Sequence, residues 1–314
     1  MRQINLDIVR EGYDGKKRTW AEIERLFKKR FEDDIIRRLK ALINEEEQRL
    51  NFNNPRVEFL EWCKRETPRW LIAKPAELKI VRDIVFSQFR TMLADLPFRD
   101  KVLKAYGYDP KELHELASWL NIKTCPYCNM QYTLYTEVYE DDGTKEDLAK
   151  FQFDHFYDKA HYPMLSMSLY NLIPSCASCN HGKLQGDLGL EFHPYHASVG
   201  RLFRFRVANP VRLWMGSDRD VPEIDLEAVA GQNISDYDKM FHIKALYQRH
   251  KDVAREVFTR AYADPYYEED NLSFLTDTEL KERIRKGFYP EEKDIEKRPL
   301  TKLQQDLWEQ AKGI

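Results

Sequence analysis

The sequence contains no apolar run long enough to cross a membrane, because charged residues interrupt every hydrophobic stretch within a few positions. The first residues, Met1 to Asp7, lack the apolar segment of a secretory signal, so we expect a cytoplasmic protein without membrane contacts. Internal repeats, low-complexity tracts and flexible linkers are also missing. With 42% hydrophobic and 13% aromatic residues over 314 positions, the composition indicates a globular chain with a substantial core.

A strong net charge is missing too, since 50 Lys and Arg residues nearly balance 53 Asp and Glu residues. The resulting charge of −3 neither supports nor excludes nucleic-acid binding, because a chain average conceals local patches. One such patch follows Gly200, where Arg201, Arg204 and Arg206 are interleaved with phenylalanines. This pattern predicts a strand with Arg204 and Arg206 on one face, which suits contact with phosphates but equally describes an ordinary half-buried strand.

Helical periodicity dominates the first 120 residues. Thr19 and Glu22 match a capping box at a helix start, and apolar residues then recur on one helical face from Ile23 to Ile43. The tail from Asp236 returns to the same periodicity. Further N-terminal helices are predicted at Val57–Arg65, Ala76–Leu93 and Lys111–Leu120.

From Cys125 the residue types change toward strand formers. Gln131–Tyr139 is rich in β-branched and aromatic residues, and the turn signal at residues 141–144 follows it. We predict that Leu148–Asp154 returns as the second strand of this hairpin, and that a short helix spans Ser178–Gln185. The predicted order is therefore strand, strand, helix.

Cysteine is scarce, and its placement is informative. Four of the five cysteines form two CxxC pairs, whereas Cys63 stands alone on the apolar side of a predicted helix, where a buried thiol is expected. Paired CxxC motifs predict a closed tetrathiolate site for structural Zn²⁺ in a reducing compartment. A redox-active pair fits less well, because such pairs occur singly beside a βαβ pattern. The predicted zinc ligands are Cys125, Cys128, Cys176 and Cys179.

The segment between the two cysteine pairs, together with the residues that follow the second, offers the groups that phosphodiester cleavage needs. These are a base that activates water, a divalent cation and a group that orients the base. His155 is the candidate base, and Asp154 and Asn180 are candidate ligands for Mg²⁺ or Mn²⁺. Asn171 is placed either to orient the His155 ring or to tie down the intervening loop. Lys183, one helical turn after Asn180, is a candidate nucleic-acid contact.

These motifs together resemble the HNH, or ββα-metal, endonuclease family. The residues concerned are Cys-Pro-Tyr-Cys-Asn129, Phe153-Asp-His-Phe-Tyr157 and the run from Asn171 to Lys183. The resemblance implies that His155 is the general base, that Asp154 and Asn180 bind the catalytic metal, and that Asn171 is the middle asparagine. Many members of the family have histidine where Asn180 stands, so this chain looks like an H-N-N variant.

The wider sequence resembles HNH proteins of bacterial anti-phage defence. Thr124 to Asn129, Tyr162 to Tyr170 and Arg298 to Leu303 are similar to the nuclease subunit of Septu-like and retron-associated systems. That resemblance implies a partner, an SMC-like or ABC-type ATPase, docked on helical arms.

The sequence thus predicts a mostly helical α+β protein with a central zinc-stapled ββα module flanked by helical arms. The predicted regions are a helical region at 1–120, the nuclease module at 121–200, and an Arg-rich strand with a helical arm at 201–314. The expected function is metal-dependent endonuclease action, with DNA favoured over RNA such as tRNA as substrate. The alternative is a non-catalytic zinc-finger subunit that binds nucleic acid or acts as a scaffold.

Overall fold

The structure is mostly helical with short antiparallel sheets, in agreement with the predicted α+β class. Among the residues described, no helix combines the length and the apolarity needed to cross a membrane. The structure, a computed structural model, describes residues 3–49, 54–183, 188–196, 202–208, 210, 223–229, 231–263 and 295–313.

The chain divides into two compact units. The N-terminal unit comprises Ile4–Ile122 and Thr133–His196, and the C-terminal unit comprises Met1–Gln3, Lys123–Tyr132 and Ala197–Ile314. These units differ from the three regions predicted from sequence, whose boundaries stay a prediction.

The longest helix, α1 (Trp20–Arg49), begins at the predicted capping box. The amide of Thr19 donates to Glu22 Oε2 over 2.8 Å, and the amide of Glu22 donates to Thr19 Oγ1 over 3.3 Å. The apolar face predicted from Ile23 to Ile43 is buried, so α1 supplies one wall of the core of the N-terminal unit.

The remaining N-terminal helices largely follow the predicted pattern, with two differences. The predicted helix at 76–93 is interrupted at Phe89, and a helix that the sequence analysis missed begins at Leu96. This missed helix ends at Gly107, whose φ of +66° is a left-handed conformation that favours glycine. The helices are α2 (Pro55–Trp70), α3 (Pro75–Gln88), α4 (Arg90–Leu93), α5 (Leu96–Tyr106) and α6 (His114–Leu120), with a 3₁₀ turn at Lys111–Leu113 and a small hairpin of β1 (Arg10–Glu11) and β2 (Lys17–Arg18).

The predicted hairpin after the first cysteine pair is wrong in its second strand. Strand β3 (Tyr135–Tyr139) pairs with β4 (Lys145–Ala149), whereas β5 (Gln152–His155) belongs to a different sheet. The predicted strand Leu148–Asp154 is therefore two strands separated by a bend at residues 150–151. Residue types alone do not locate such a bend, because the choice of strand partner depends on contacts with distant segments.

The order strand, strand, helix is nevertheless present, formed by later elements than predicted. Strand β5 pairs antiparallel with β6 (Leu172–Ser175), and α7 (Ala177–Lys183) follows directly. Two 3₁₀ turns, Pro163–Leu165 and Leu169–Asn171, lie in the connection between the strands. This arrangement places His155 at the end of one strand and Asn180 on the helix.

The C-terminal unit pairs β7 (Phe203–Val207) with β8 (Ile224–Ala228). Phe203 and Phe205 are buried and Arg204 is exposed, which is the predicted alternation. The helices of this unit are α8 (Ser235–Phe241), α9 (Ile243–Tyr247), α10 (Lys251–Ala263) and α11 (Thr301–Lys312), with a 3₁₀ turn at Gln248–His250.

Candidate functional site

The four paired cysteines form one buried cluster. Their sulfur atoms all lie within 4.8 Å of one another, and each residue is at most 6% exposed. Zinc binds thiolates at about 2.3 Å in a tetrahedral arrangement, so four sulfurs at this spacing can surround one ion. The chemistry of the donors fits a structural metal, as predicted for Cys125, Cys128, Cys176 and Cys179.

The first cysteine pair is held by a tight turn of the C-terminal unit. The amide of Asn129 donates to the carbonyl of Cys125 over 2.8 Å, and Asn129 adopts a left-handed φ of +49°. Its side-chain amide donates to Ile295 O over 3.0 Å and its Oδ1 accepts from the amide of Lys302 over 2.9 Å. The hydroxyl of Tyr247 also donates to the carbonyl of Cys128 over 2.6 Å. The turn is therefore held by buried hydrogen bonds in addition to any metal.

The second pair flanks the start of α7 in the N-terminal unit. Cys176 precedes the helix and accepts from the amide of Asn180 over 3.0 Å, while Cys179 lies in its first turn. The same short helix therefore positions the second cysteine pair as well as Asn180 and Lys183.

His155, the predicted base, is 7% exposed at the end of β5 and lines a large pocket. Its Nε2 lies 3.0 Å from the carbonyl oxygen of Ser166. Because a carbonyl oxygen can only accept, Nε2 carries the proton, and Nδ1 is the basic nitrogen of the neutral ring. The ring of Tyr108 packs against the imidazole at 4.5 Å between centroids. The group that orients the ring is thus the Ser166 carbonyl.

Burial and neighbouring cations keep His155 neutral. Desolvation lowers the pKa of His155 to about 3, Lys159 and Lys183 act in the same direction, and the Ser166 hydrogen bond opposes them. At neutral pH the ring is therefore unprotonated at Nδ1, which is the state that a general base requires.

Asp154 and Lys183 form a buried ion pair beside His155. Lys183 Nζ lies 3.2 Å from each carboxylate oxygen of Asp154 and donates to the carbonyl of His155 over 2.6 Å. Lys183 is 6% exposed and its ammonium is engaged within the protein, and its predicted contact with nucleic acid stays a prediction. Helix α7 turns this side chain toward β5, where the aspartate and a backbone carbonyl satisfy its ammonium.

Asn180 lies on the same helix and lines the same pocket as Asp154 and His155. Its Nδ2 donates to Gln152 Oε1 over 2.5 Å. The amide oxygen of Asn180 is therefore the atom that could bind a metal. Gln152, which was not singled out in the sequence, therefore fixes which end of the amide is presented. Oxygen donors of this kind suit Mg²⁺ or Mn²⁺.

Asn171 is fully buried and holds the connection between β5 and β6 together. Its Oδ1 accepts from the amide of Tyr157 over 2.7 Å, and its Nδ2 donates to the carbonyls of Tyr157 and Leu165 over 3.1 and 2.9 Å. Of the two roles considered for Asn171, the structure supports fixing the loop. Asn171 therefore positions the segment that contains Ser166, through its bond to the carbonyl of Leu165.

The predicted Arg-rich strand lies in the C-terminal unit. Arg206 Nε lies 2.7 Å from Glu227 Oε2, and Arg204 Nη1 lies 3.8 Å from Glu309 Oε2. These ion pairs account for both side chains without nucleic acid, and a role in binding it stays a prediction. Arg201 lies outside the described residues.

The pocket at the site has a volume of about 1130 Å³ and lies within the N-terminal unit. Sequence reasoning missed the residues that remote segments contribute to it, because no local pattern marks them. Of these residues, Lys159 could most easily have been found from the sequence, since it follows His155 by four positions. The missed residues that shape the site are Phe86, Arg90, Arg99, Tyr108, Lys111 and Lys159.

The arrangement combines a neutral imidazole, a buried carboxylate, an amide oxygen and several cations in one pocket. Such a set can accept a proton from water and hold an anionic substrate. Models of known protein families, curated proteins and solved structures were compared with the chain, and none of them matches it.

Proposed function

We propose that this chain is an endonuclease of the HNH type that hydrolyses phosphodiester bonds of nucleic acid. The observation that supports this best is the setting of His155. Its Nε2–H is fixed on the Ser166 carbonyl, its Nδ1 is basic, and it lies in one pocket with Asp154 and Asn180. A ring held in one tautomer beside oxygen ligands is what a metal-assisted hydrolase requires.

In the proposed reaction, His155 Nδ1 accepts a proton from water as the water oxygen attacks phosphorus. The bond from phosphorus to the bridging 3′ oxygen breaks, and that oxygen takes up a proton from solvent. A pKa of about 3 makes the resting imidazole a weak base. The bound phosphate offsets the charge of Lys159 and Lys183, which raises the pKa of His155 when substrate is present.

Asp154 and Asn180 are the residues that would hold a catalytic Mg²⁺ or Mn²⁺. When bound, the cation would neutralise charge on the phosphate and on the departing oxygen. In the structure the Lys183 ammonium already balances the Asp154 carboxylate, so Lys183 competes with any cation at this position. The cysteine cluster is proposed to hold structural zinc and takes no part in these steps.

DNA is the favoured substrate, and RNA, including tRNA, is the alternative. From the resemblance to anti-phage defence nucleases we further propose that the chain is the effector of such a system and works with an SMC-like or ABC-type ATPase. Cosedimentation of the two gene products would test that pairing.

The competing function is that of a non-catalytic zinc-binding scaffold or nucleic-acid-binding subunit. The observation that favours it is the Asp154–Lys183 pair, because a buried ion pair also serves a purely structural role. In that case Asp154 would bind no metal and His155 would be a buried core histidine.

A cleavage assay separates the two functions. Wild type, His155→Ala and a control, His242→Asn, are incubated with plasmid, single-stranded DNA and total RNA in Mg²⁺, Mn²⁺ or EDTA. His242 is exposed with a φ of +52°, a conformation that asparagine tolerates. We expect metal-dependent cleavage by wild type and control and its loss in His155→Ala. Equal cleavage by all three proteins would refute the role of His155 as general base. No cleavage by any of them would favour the non-catalytic scaffold function.

A further inference from the structure

The reacting groups lie at the base of a concave pocket. Asp154 and His155 are 5% and 7% exposed, although both line the cavity. A B-form duplex is a stiff cylinder whose major groove alone is about 12 Å wide. Its phosphates approach side chains that are covered to this degree less readily than the phosphates of a strand that has left the duplex. A single flexible strand can enter such a pocket.

The size of the pocket agrees with a substrate of this kind. Its volume of about 1130 Å³ is slightly above the roughly 300–1,000 Å³ of sites that enclose small ligands. That space accommodates a short stretch of one strand and is too small for a duplex. The lining includes residues of α3, α4 and α5 and residues of β4 and β5.

An aromatic ring is exposed on the wall of this pocket. Phe86, on α3, is 52% exposed. The guanidinium group of Arg90 lies over its ring at 5.0 Å from the centroid. Deeper in the pocket, Lys159 Nζ lies 4.1 Å from the ring centroid of Tyr108. Aromatic faces combined with cations are the features with which proteins bind single strands, by base stacking and phosphate contact.

The acidic and basic side chains that line the pocket also differ in whether they are already engaged within the protein. Asp158 is engaged by His161 at 2.8 Å, and Asp147 accepts from Tyr135 over 2.8 Å. Within the described part of the chain, Arg90, Lys111 and Lys159 have no acidic partner within ion-pair distance. Cations without carboxylate partners around an aromatic face favour a polyanion that also carries flat bases.

We propose that this pocket binds an unpaired strand of nucleic acid, with a base stacked on Phe86 and phosphates contacting Arg90, Lys111 and Lys159. The proposal rests on the proposed nuclease function and specifies its substrate as single-stranded or locally unpaired nucleic acid. Fully paired duplex is then a poor ligand and a poor substrate.

The test measures binding separately from cleavage. Full-length His155→Ala protein in Mg²⁺ is titrated into fluorescently labelled single-stranded DNA, single-stranded RNA and a blunt duplex of the same sequence, and anisotropy is recorded. We expect single strands to bind at least about tenfold more tightly than the duplex, as stacking on an aromatic face predicts. The DNA and RNA arms identify which single strand is preferred.

Two substitutions in the same background test the named contacts. Phe86→Ala should weaken single-strand binding by about tenfold, the effect of losing one base stack. Arg90→Gln should weaken binding and lower the slope of log K against log salt by about 0.7, the value for one phosphate contact on a single strand. The matched controls are Ile80→Ala, which is 59% exposed on the same helix, and Arg65→Gln on α2. Neither control lines the pocket, so both should bind as the parent does.

The outcomes are separable. Equal or tighter binding of duplex, or no effect of Phe86→Ala relative to Ile80→Ala, overturns the pocket proposal even if wild type cleaves DNA. Selective single-strand binding that depends on Phe86, combined with no cleavage by wild type, refutes the nuclease and leaves the binding site standing. Circular dichroism of each variant confirms that the fold is retained.

Discussion

The ammonium nitrogen of Lys183 lies 3.2 Å from both carboxylate oxygens of Asp154, and the two side chains are 5% and 7% exposed. Lys183 also donates to the backbone carbonyl of His155 over 2.6 Å. A single cation of the protein thus holds the predicted metal ligand and the backbone of the predicted base together. Any divalent ion that binds Asp154 has to displace this ammonium or share the carboxylate with it.

Removing the ammonium should make stability depend on a divalent ion. Lys183→Met leaves the Asp154 carboxylate buried without a partner, which is expected to cost about 3–5 kcal/mol of unfolding free energy. Mg²⁺ at Asp154 should restore part of that loss. Urea unfolding with Mg²⁺ or with EDTA measures both effects. Lys79→Met, at an exposed ion pair with Asp83, serves as the control and should unfold as wild type does. A Lys183→Met variant that is indifferent to Mg²⁺ would argue against a metal at Asp154.

The buried histidine should make the protein less stable in acid. The pKa of His155 is lowered to about 3 in the folded chain, against about 6.5 when unfolded. The contribution of the neutral imidazole to the free energy of unfolding is therefore fully present above pH 6.5. It is lost as the pH falls toward 3, at up to about 1.4 kcal/mol per pH unit. Denaturant unfolding measured across this pH range should show that the unfolding free energy changes less steeply with pH for His155→Gln than for wild type. This change with pH is the slope compared below. His242→Asn, at an exposed histidine that does not line the pocket, should keep the wild-type slope. Identical slopes in all three proteins would contradict a neutral buried His155.

Loss of one cluster thiolate should release zinc and destabilise the fold. Cys176→Ser removes one of four ligands, and a structural site of this type supplies on the order of 10 kcal/mol of apparent folding free energy in small metallo-domains. Elemental analysis should show a bound zinc in wild type and almost none in the variant, with a lower melting temperature. Cys63→Ala provides the comparison, because Cys63 is buried in α2 outside the cluster. Its zinc content should match that of wild type; retention of zinc by Cys176→Ser would contradict the tetrathiolate site.

Asn171 should matter for stability more than Asn180 does. Asn171→Ala removes three buried hydrogen bonds, to the amide and carbonyl of Tyr157 and to the carbonyl of Leu165, at about 1 kcal/mol for each bond. Asn180→Ala removes a partly exposed bond to Gln152 and should change the unfolding free energy little. Guanidinium unfolding of the two variants checks the order. A larger loss for Asn180→Ala would show that the loop is held by other contacts.

Local patterns predicted part of this fold well. The capping box of Thr19 and Glu22 and the apolar face behind it are interactions within a few residues, so the start and buried side of α1 follow from sequence. The second strand of the hairpin was misplaced because strand partners are also chosen over longer distances. Leu148 pairs within the hairpin, whereas Phe153, beyond a bend at residues 150–151, belongs to a different sheet.

The candidate site, like the fold, has features that local residue types predict and features that depend on distant contacts. His155, Asp154 and Asn180 were identified by their residue types and order, and the structure brings all three to one pocket. The burial of Asn171 and Lys183, and the partners that hold their side chains, could not be predicted, because a motif does not state burial. Tyr108 and Phe86 were missed because they reach the pocket from segments distant in sequence.

What the sequence by itself determined is the two CxxC pairs, together with the local chemistry of the segment that the pairs delimit. Two residues between cysteines, and one helical turn between Asn180 and Lys183, are short-range geometry that covalent connectivity imposes. The tertiary structure alone decided that β5 pairs with β6, that Lys183 balances Asp154, and that Phe86 and Arg90 line the pocket. Those outcomes depend on which distant segments exclude water from one another, and that is settled by packing of the whole unit.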